Sequence, residues 1–160
     1  MSGSLTSAEP ITPEGLAALE AEIEKLEGEG RRDMAARIQA ARELGDLKEN
    51  AEYHIAKDDQ AHLETKIKRL RERLRNAVEV DPDPASDKFA FGRTAEVADD
   101  STGKVHTWTL VGSTEADLTE GRLSAESPVG RALTNARIGT KVQVTTPGGK
   151  RTYRVQKLVG

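Results

Sequence analysis

The chain has 160 residues, of which 36% are hydrophobic, 32% charged and 3% aromatic. That composition suits long solvated helices beside a small packed core better than one large globule. The absence of cysteine excludes disulfide staples, zinc ribbons, thiolate metal sites and cysteine nucleophiles.

No apolar run approaches the roughly 18 residues that a membrane span requires. Met1–Pro10 is small and polar, without the apolar stretch of a secretory signal. The formal net charge of −3 conceals segregation along the chain. Residues 9–29 carry seven acids and one base, whereas residues 64–75 carry six bases and two acids. Local distribution therefore says more about partners than the overall balance does.

Thr12-Pro13-Glu14 reads as a helix start, because Thr accepts from an orphan N–H and Pro needs no donor in the first turn. Leu16, Leu19, Ile23 and Leu26 follow at 3-4-3 spacing on one helical stripe. Met34, Ile38 and Ala41 continue it after a phase slip around Gly30, which is expected to alter the local winding without ending the helix. Gly28 and Gly30 mark its weakest point.

A second helix carries Tyr53, Ala56, Gln60, Leu63, Ile67, Leu70, Leu74 and Ala77 at unbroken 3-4 spacing, a coiled-coil seam. Only residues 45–50 separate the two stripes. A connection this short predicts an antiparallel hairpin, with about 50 Å of helix in the first arm. A turn near residue 48 brings the acidic block beside the basic block and Arg37 beside Asp58 and Asp59. Arg31, Arg32, Arg42 and Lys57 face fewer acids and are the candidates for an external anion.

Asp81-Pro82-Asp83-Pro84 ends the helical part. From Phe91 the apolar period becomes two. Residues 91–97 and 105–111 are predicted strands, 129–135 a short helix capped by Ser127, and 141–145 and 151–158 a hairpin across Pro147-Gly148-Gly149. Val142, Val144, Tyr153 and Val155 form one predicted buried face, and Trp108 a core residue. The fold class is α+β.

His54, His62 and His106 are too dispersed to make a metal cluster, and Ser127 has no visible triad partners. The turn of the hairpin is more informative. Asp46 and Glu49, three apart, allow two readings. One is a capping box opening the second helix, with Asp46 as cap and Glu49 reaching back; on spacing alone this pattern is the commoner. The other is a pair of carboxylates at the end of a rod, a half-site for Mg²⁺ that leaves other positions to outside oxygens.

The stretch Gly45-Asp46-Leu47-Lys48-Glu49-Asn50-Ala51-Glu52-Tyr53-His54 resembles the tip signature of the bacterial GreA/GreB transcript cleavage factors. Ala40-Ala41-Arg42-Glu43, Ala56-Lys57, Leu74-Arg75-Asn76-Ala77, residues 127–133 and Thr146-Pro147-Gly148-Gly149 are similar to the family too, leaning to its GreA branch. The resemblance runs from about Ile11 to Leu158.

It implies a disordered extension over 1–10, an antiparallel coiled coil over 11–79 with an acidic tip at 45–50, a linker over 80–90 and an FKBP-like polymerase-docking domain over 91–160. It further implies a cytoplasmic, monomeric elongation factor that is not itself an enzyme. The partners implied are bacterial RNA polymerase and the extruded 3′ end of nascent RNA, with no membrane. The coiled coil would enter the polymerase secondary channel and stimulate endonucleolytic cleavage of backtracked RNA. Asp46 and Glu49 match the family's acidic pair and would help hold a Mg²⁺ shared with the polymerase, bound only weakly by the free factor. The family's basic RNA-facing patch would fall among Arg31, Arg32, Arg42 and Lys57. The alternative is a relative of the same architecture that occupies the channel and inhibits without cleavage.

Overall fold

The computed structural model describes residues 8–159. The expected extension therefore lies outside the described residues over 1–7. At its end it meets a correction, because Glu9–Ile11 is a strand, β1. The chain divides into two compact units, one over Leu16–Ala77 and one joining Ala8–Gly15 to the chain from Val78 onward.

The first unit is a helical hairpin. Its first arm comprises α1 (Pro13–Lys25), a π-helical turn (Leu26–Gly30) and α2 (Arg31–Arg42); its second is α3 (Ala51–Asn76). Leu19, Ile23, Ile38 and Ala41 are buried from one side of the seam, and Ala56, Ile67 and Leu70 from the other. The phase slip at Gly30 has a definite form. Continued 3-4 spacing would bury residues 30, 33 and 37, but the stripe resumes one residue later. A π turn takes up one extra residue, so the apolar stripe returns to face α3. Gly30 sits beneath Leu63, whose Cδ1 would lie 3.6 Å from any added Cβ.

Ion pairs report the antiparallel register. Arg31 meets Glu64 at 2.9 Å, Arg37 meets Asp59 at 3.0 Å, and Lys66 meets Glu22 at 3.6 Å. Arg71 also pairs with Glu27. The two charge blocks thus answer each other as the sequence predicts. These pairs are exposed and screened by solvent, so they select orientation more than they stabilise.

The second unit contains a five-stranded sheet in the order β6-β5-β4-β9-β8. These strands are β4 (Thr94–Asp99), β5 (Val105–Val111), β6 (Arg122–Ser124), β8 (Lys141–Thr146) and β9 (Gly149–Val159). Only β5 and β6 run parallel. The Pro147-Gly148 turn closes β8 onto β9 with Thr146 opposite Gly149. Two small sheets pair β1 with β2 (Ala77–Glu79) and β3 (Lys88–Phe89) with β7 (Ala136–Arg137). Strands β1, β2, β3, β6 and β7 are two or three residues long, too short for periodicity to reveal.

The core gathers Val97, Trp108, Leu110, Leu133, Val144, Tyr153 and Val155. Trp108 packs against Tyr153 and is stacked by His106 at 4.6 Å. The expected linker is corrected here. Phe89 is fully buried in this core, and buried Arg93 donates from Nη1 to the carbonyls of Asp83 (2.8 Å) and Ser86 (2.7 Å). Those bonds fold the proline-rich segment onto the sheet. Thr12 likewise belongs to this unit. It caps α1 by accepting from Gly15 N–H at 3.0 Å while its backbone N–H and hydroxyl donate to Glu115.

Helix α4 (Pro128–Leu133) is capped by Ser127, which accepts from Gly130 N–H at 3.1 Å and donates to the Ser124 carbonyl at 2.6 Å. The helix lies so close to that strand end that a Cβ on Gly130 would sit 1.9 Å from the Ser124 carbonyl oxygen. Backbone must shift to admit it. Gly130→Ala is expected to cost about 2–3 kcal/mol by overpacking, read by urea unfolding followed through Trp108 fluorescence. An unchanged midpoint would show that the strand end yields freely.

Asp99 closes the β4–β5 corner. Burial pushes its carboxyl up, but the Ser101 N–H (2.8 Å) and the Arg151 guanidinium (2.9 Å) outweigh burial, and its pKa is lowered. A carboxyl depressed in the folded state contributes stability above its unfolded pKa, about 3.9. That contribution is lost as pH falls through the folded value. Thermal melts between about pH 5 and 2 should therefore show a steeper acid loss for wild type than for Asp99→Asn. Parallel slopes would contradict this.

Candidate functional site

The hairpin tip is built by three successive local rules. First, α2 tightens as it ends: Glu43 N–H reaches the Gln39 carbonyl (3.3 Å) and Leu44 N–H the Ala41 carbonyl (3.1 Å). Gly45 then takes φ +128°, a conformation that a side chain would strain, and turns the chain. Second, Asp46 Oδ1 accepts from Lys48 N–H at 2.9 Å and opens a single 3₁₀ turn, Leu47–Glu49. Third, Asn50 Oδ1 accepts from Tyr53 N–H at 3.0 Å and starts α3.

This settles the capping question in an unexpected way. The cap of α3 is Asn50, not Asp46. Asn50 also donates from Nδ2 to the Ala41 carbonyl at 2.5 Å, tying the end of one arm to the start of the other. Asp46 caps only the 3₁₀ turn, through one oxygen. Among the described residues, nothing bonds the Glu49 carboxylate. Both acids are exposed, so little desolvation opposes a cation binding to them. They line one shallow depression together with Leu44, Asn50, Ala51 and Glu52.

The donor set is hard carboxylate oxygen, which suits Mg²⁺. Among the described residues no three His, Cys, Asp or Glu side chains come together as a metal site. The tip thus offers a pair of ligands and leaves the remaining positions to water or to other molecules. Glu52 on the rim and His54, whose Nε2 lies 3.2 Å from the Lys48 carbonyl oxygen, were not singled out by spacing. Their neighbourhood depends on how the 3₁₀ turn folds back, and no periodic pattern encodes that.

The four basic candidates do not form one patch. Arg32 and Arg42 are about 15 Å apart along α2 at 1.5 Å per residue. Arg31 is corrected outright as a free cation. Its guanidinium is bidentate to Glu64, at 3.0 and 2.9 Å, and these bonds hold the Glu64 carboxyl below its usual range. Lys57 donates to Gln60 at 3.0 Å, and the Arg42 guanidinium lies 5.9 Å from the Tyr53 ring centroid. Arg32 makes no ion pair among the described residues.

Comparison with known proteins agrees along the chain. Residues 9–78 match the family described as transcription elongation factor, N-terminal, and residues 84–158 match transcription elongation factor, GreA/GreB, C-terminal. The chain is 43% identical over 151 residues to transcription elongation factor GreA of Thioalkalivibrio sulfidiphilus, covering 93% of this chain and 96% of that protein. It is 44% identical over 140 residues to the GreA of Roseiflexus castenholzii, covering 87% and 89%. Among solved structures, GreA factor homolog 1 of Thermus thermophilus is 27% identical, with a TM-score of 0.42 over 95% of this chain and 99% of that one. With both family models matched, the first of them spanning the acidic tip, the chain belongs to the GreA/GreB family of transcription elongation factors.

Proposed function

We propose that this chain enters the secondary channel of bacterial RNA polymerase and stimulates the polymerase's own endonucleolytic cleavage of backtracked RNA. The observation that carries this reading is the freedom of the acidic pair. Glu49 is not consumed by capping, and Asp46 keeps one oxygen available at the exposed end of the hairpin.

On this reading the chain is a supplement to another enzyme's site. Asp46 and Glu49 would hold a Mg²⁺ jointly with the polymerase, and that ion supplies positive charge where the attacking and leaving oxygens of phosphodiester hydrolysis develop negative charge. The chain's own residues position the two carboxylates: Gly45 reverses the backbone, Asn50 ties the arms together, and the 3₁₀ turn sets the spacing. The unpaired guanidinium of Arg32 is the better of the basic candidates for a phosphate of the extruded 3′ end, a contact that would be sequence-independent and weakened by salt. Among the described residues no helix is long and apolar enough to cross a membrane.

The test is a purified elongation complex backtracked on a defined template. Adding the chain should shorten the RNA from its 3′ end in a Mg²⁺-dependent way and restore extension. Tight binding to polymerase without shortening would make the chain a channel-occupying inhibitor instead.

A further inference from the structure

We infer that His54 is a positioning residue for the acidic tip, acting through the main chain of the turn that carries Asp46 and Glu49. Its backbone N–H makes the first bond of α3, to the Asn50 carbonyl at 3.1 Å. Its side chain bends the other way. Nε2 lies 3.2 Å from the carbonyl oxygen of Lys48, in the middle of the Leu47–Glu49 turn. A carbonyl oxygen only accepts, so the bond requires a proton on Nε2. The Tyr53 ring stands edge-on to the imidazole at 5.6 Å and 69°, and the Arg42 guanidinium sits over Tyr53.

The 3₁₀ turn needs such support. It is three residues long, and its own fastening is the bond from Lys48 N–H to Asp46. Short 3₁₀ turns have poor hydrogen-bond geometry and open easily. His54 grips the same residue, Lys48, from its carbonyl side. The turn is thus held at both ends of one residue, and the Asp46–Glu49 spacing is held with it. Asn50 does a different job, since it joins the two arms and caps α3. The inference rests on the proposed function only for its catalytic consequence; the grip on the turn stands separately.

Two readouts on the full chain separate these. In amide hydrogen exchange, His54→Ala should speed exchange of the Lys48 N–H about three- to tenfold, the scale of one net hydrogen bond. The Tyr53 N–H, held by Asn50, should not change. His54→Gln places an N–H donor within similar reach and should restore protection, whereas His54→Leu should not. In the backtracked complex, His54→Ala should lower cleavage and raise the Mg²⁺ concentration for half-maximal rate, with polymerase binding unchanged and Gln restoring both. Unaltered Lys48 exchange in His54→Ala would overturn the inference whatever cleavage does. Faster exchange with unaltered cleavage, in a wild type that cleaves, would overturn the catalytic consequence. A wild type that does not cleave, with Lys48 exchange still dependent on His54, would sink the proposed function and leave the grip intact.

Discussion

Asp46→Asn and Glu49→Gln are each expected to lower stimulated RNA cleavage about a hundredfold, the scale of removing one preorganised electrostatic partner from a reacting centre. Affinity for polymerase should hardly change. Both side chains are exposed and contribute nothing to a core, so neither change should unfold the hairpin. The two substitutions differ in a useful way. Asp46 spends one oxygen on Lys48 N–H, and Asn keeps an acceptor there, so the 3₁₀ turn survives while the charge is lost. Glu49 makes no bond among the described residues, so Glu49→Gln removes charge alone. If the acids act as one ligand pair, the double variant should be little worse than either single one. Additive losses would instead mean two separate roles. Cleavage that persists in both single variants would return the pair to a purely local turn function.

The largest structural effect is expected at Phe89. It is fully buried, its carbonyl accepts from Asn135 N–H at 2.9 Å, and it sits opposite Ala136 in the β3–β7 pair. Phe89→Ala should cost about 3–5 kcal/mol through lost transfer energy and the cavity left behind. Against a typical stability of about 5–15 kcal/mol, that is a large fraction for this unit. Urea unfolding followed by Trp108 fluorescence reads it directly, since the only tryptophan lies in the same core. A loss below about 1 kcal/mol would mean that neighbours collapse into the space.

Phe89 also shows where reading residues in order falls short. It follows two Asp-Pro pairs and lies in a stretch with no apolar alternation, so composition assigns it to a linker. Its burial arises from the two-residue pairing of β3 with β7, contributed from nearly fifty residues away. The same holds for Ile11, whose carbonyl accepts from Val80 N–H, for Thr12, which donates to Glu115, and for Arg31, whose apparent freedom ended when Glu64 arrived from α3. Short strands and long-range partners leave no period in the chain.

What the amino-acid order determined by itself was the fold class and the place of the hairpin tip that carries the candidate site. The 3-4 stripes, the six-residue connection and the opposed charge blocks favour an antiparallel hairpin, because folding back at so short a turn buries both seams and pairs both blocks within one chain. Asp46 and Glu49 were legible because a turn that short must expose them. Tertiary structure decided which residues were already engaged. It gave the α3 cap to Asn50, left Glu49 unbonded, turned the Gly30 slip into a π turn and set His54 against Lys48. Each outcome depends on competition among nearby donors and acceptors in three dimensions, and spacing alone does not rank those competitors.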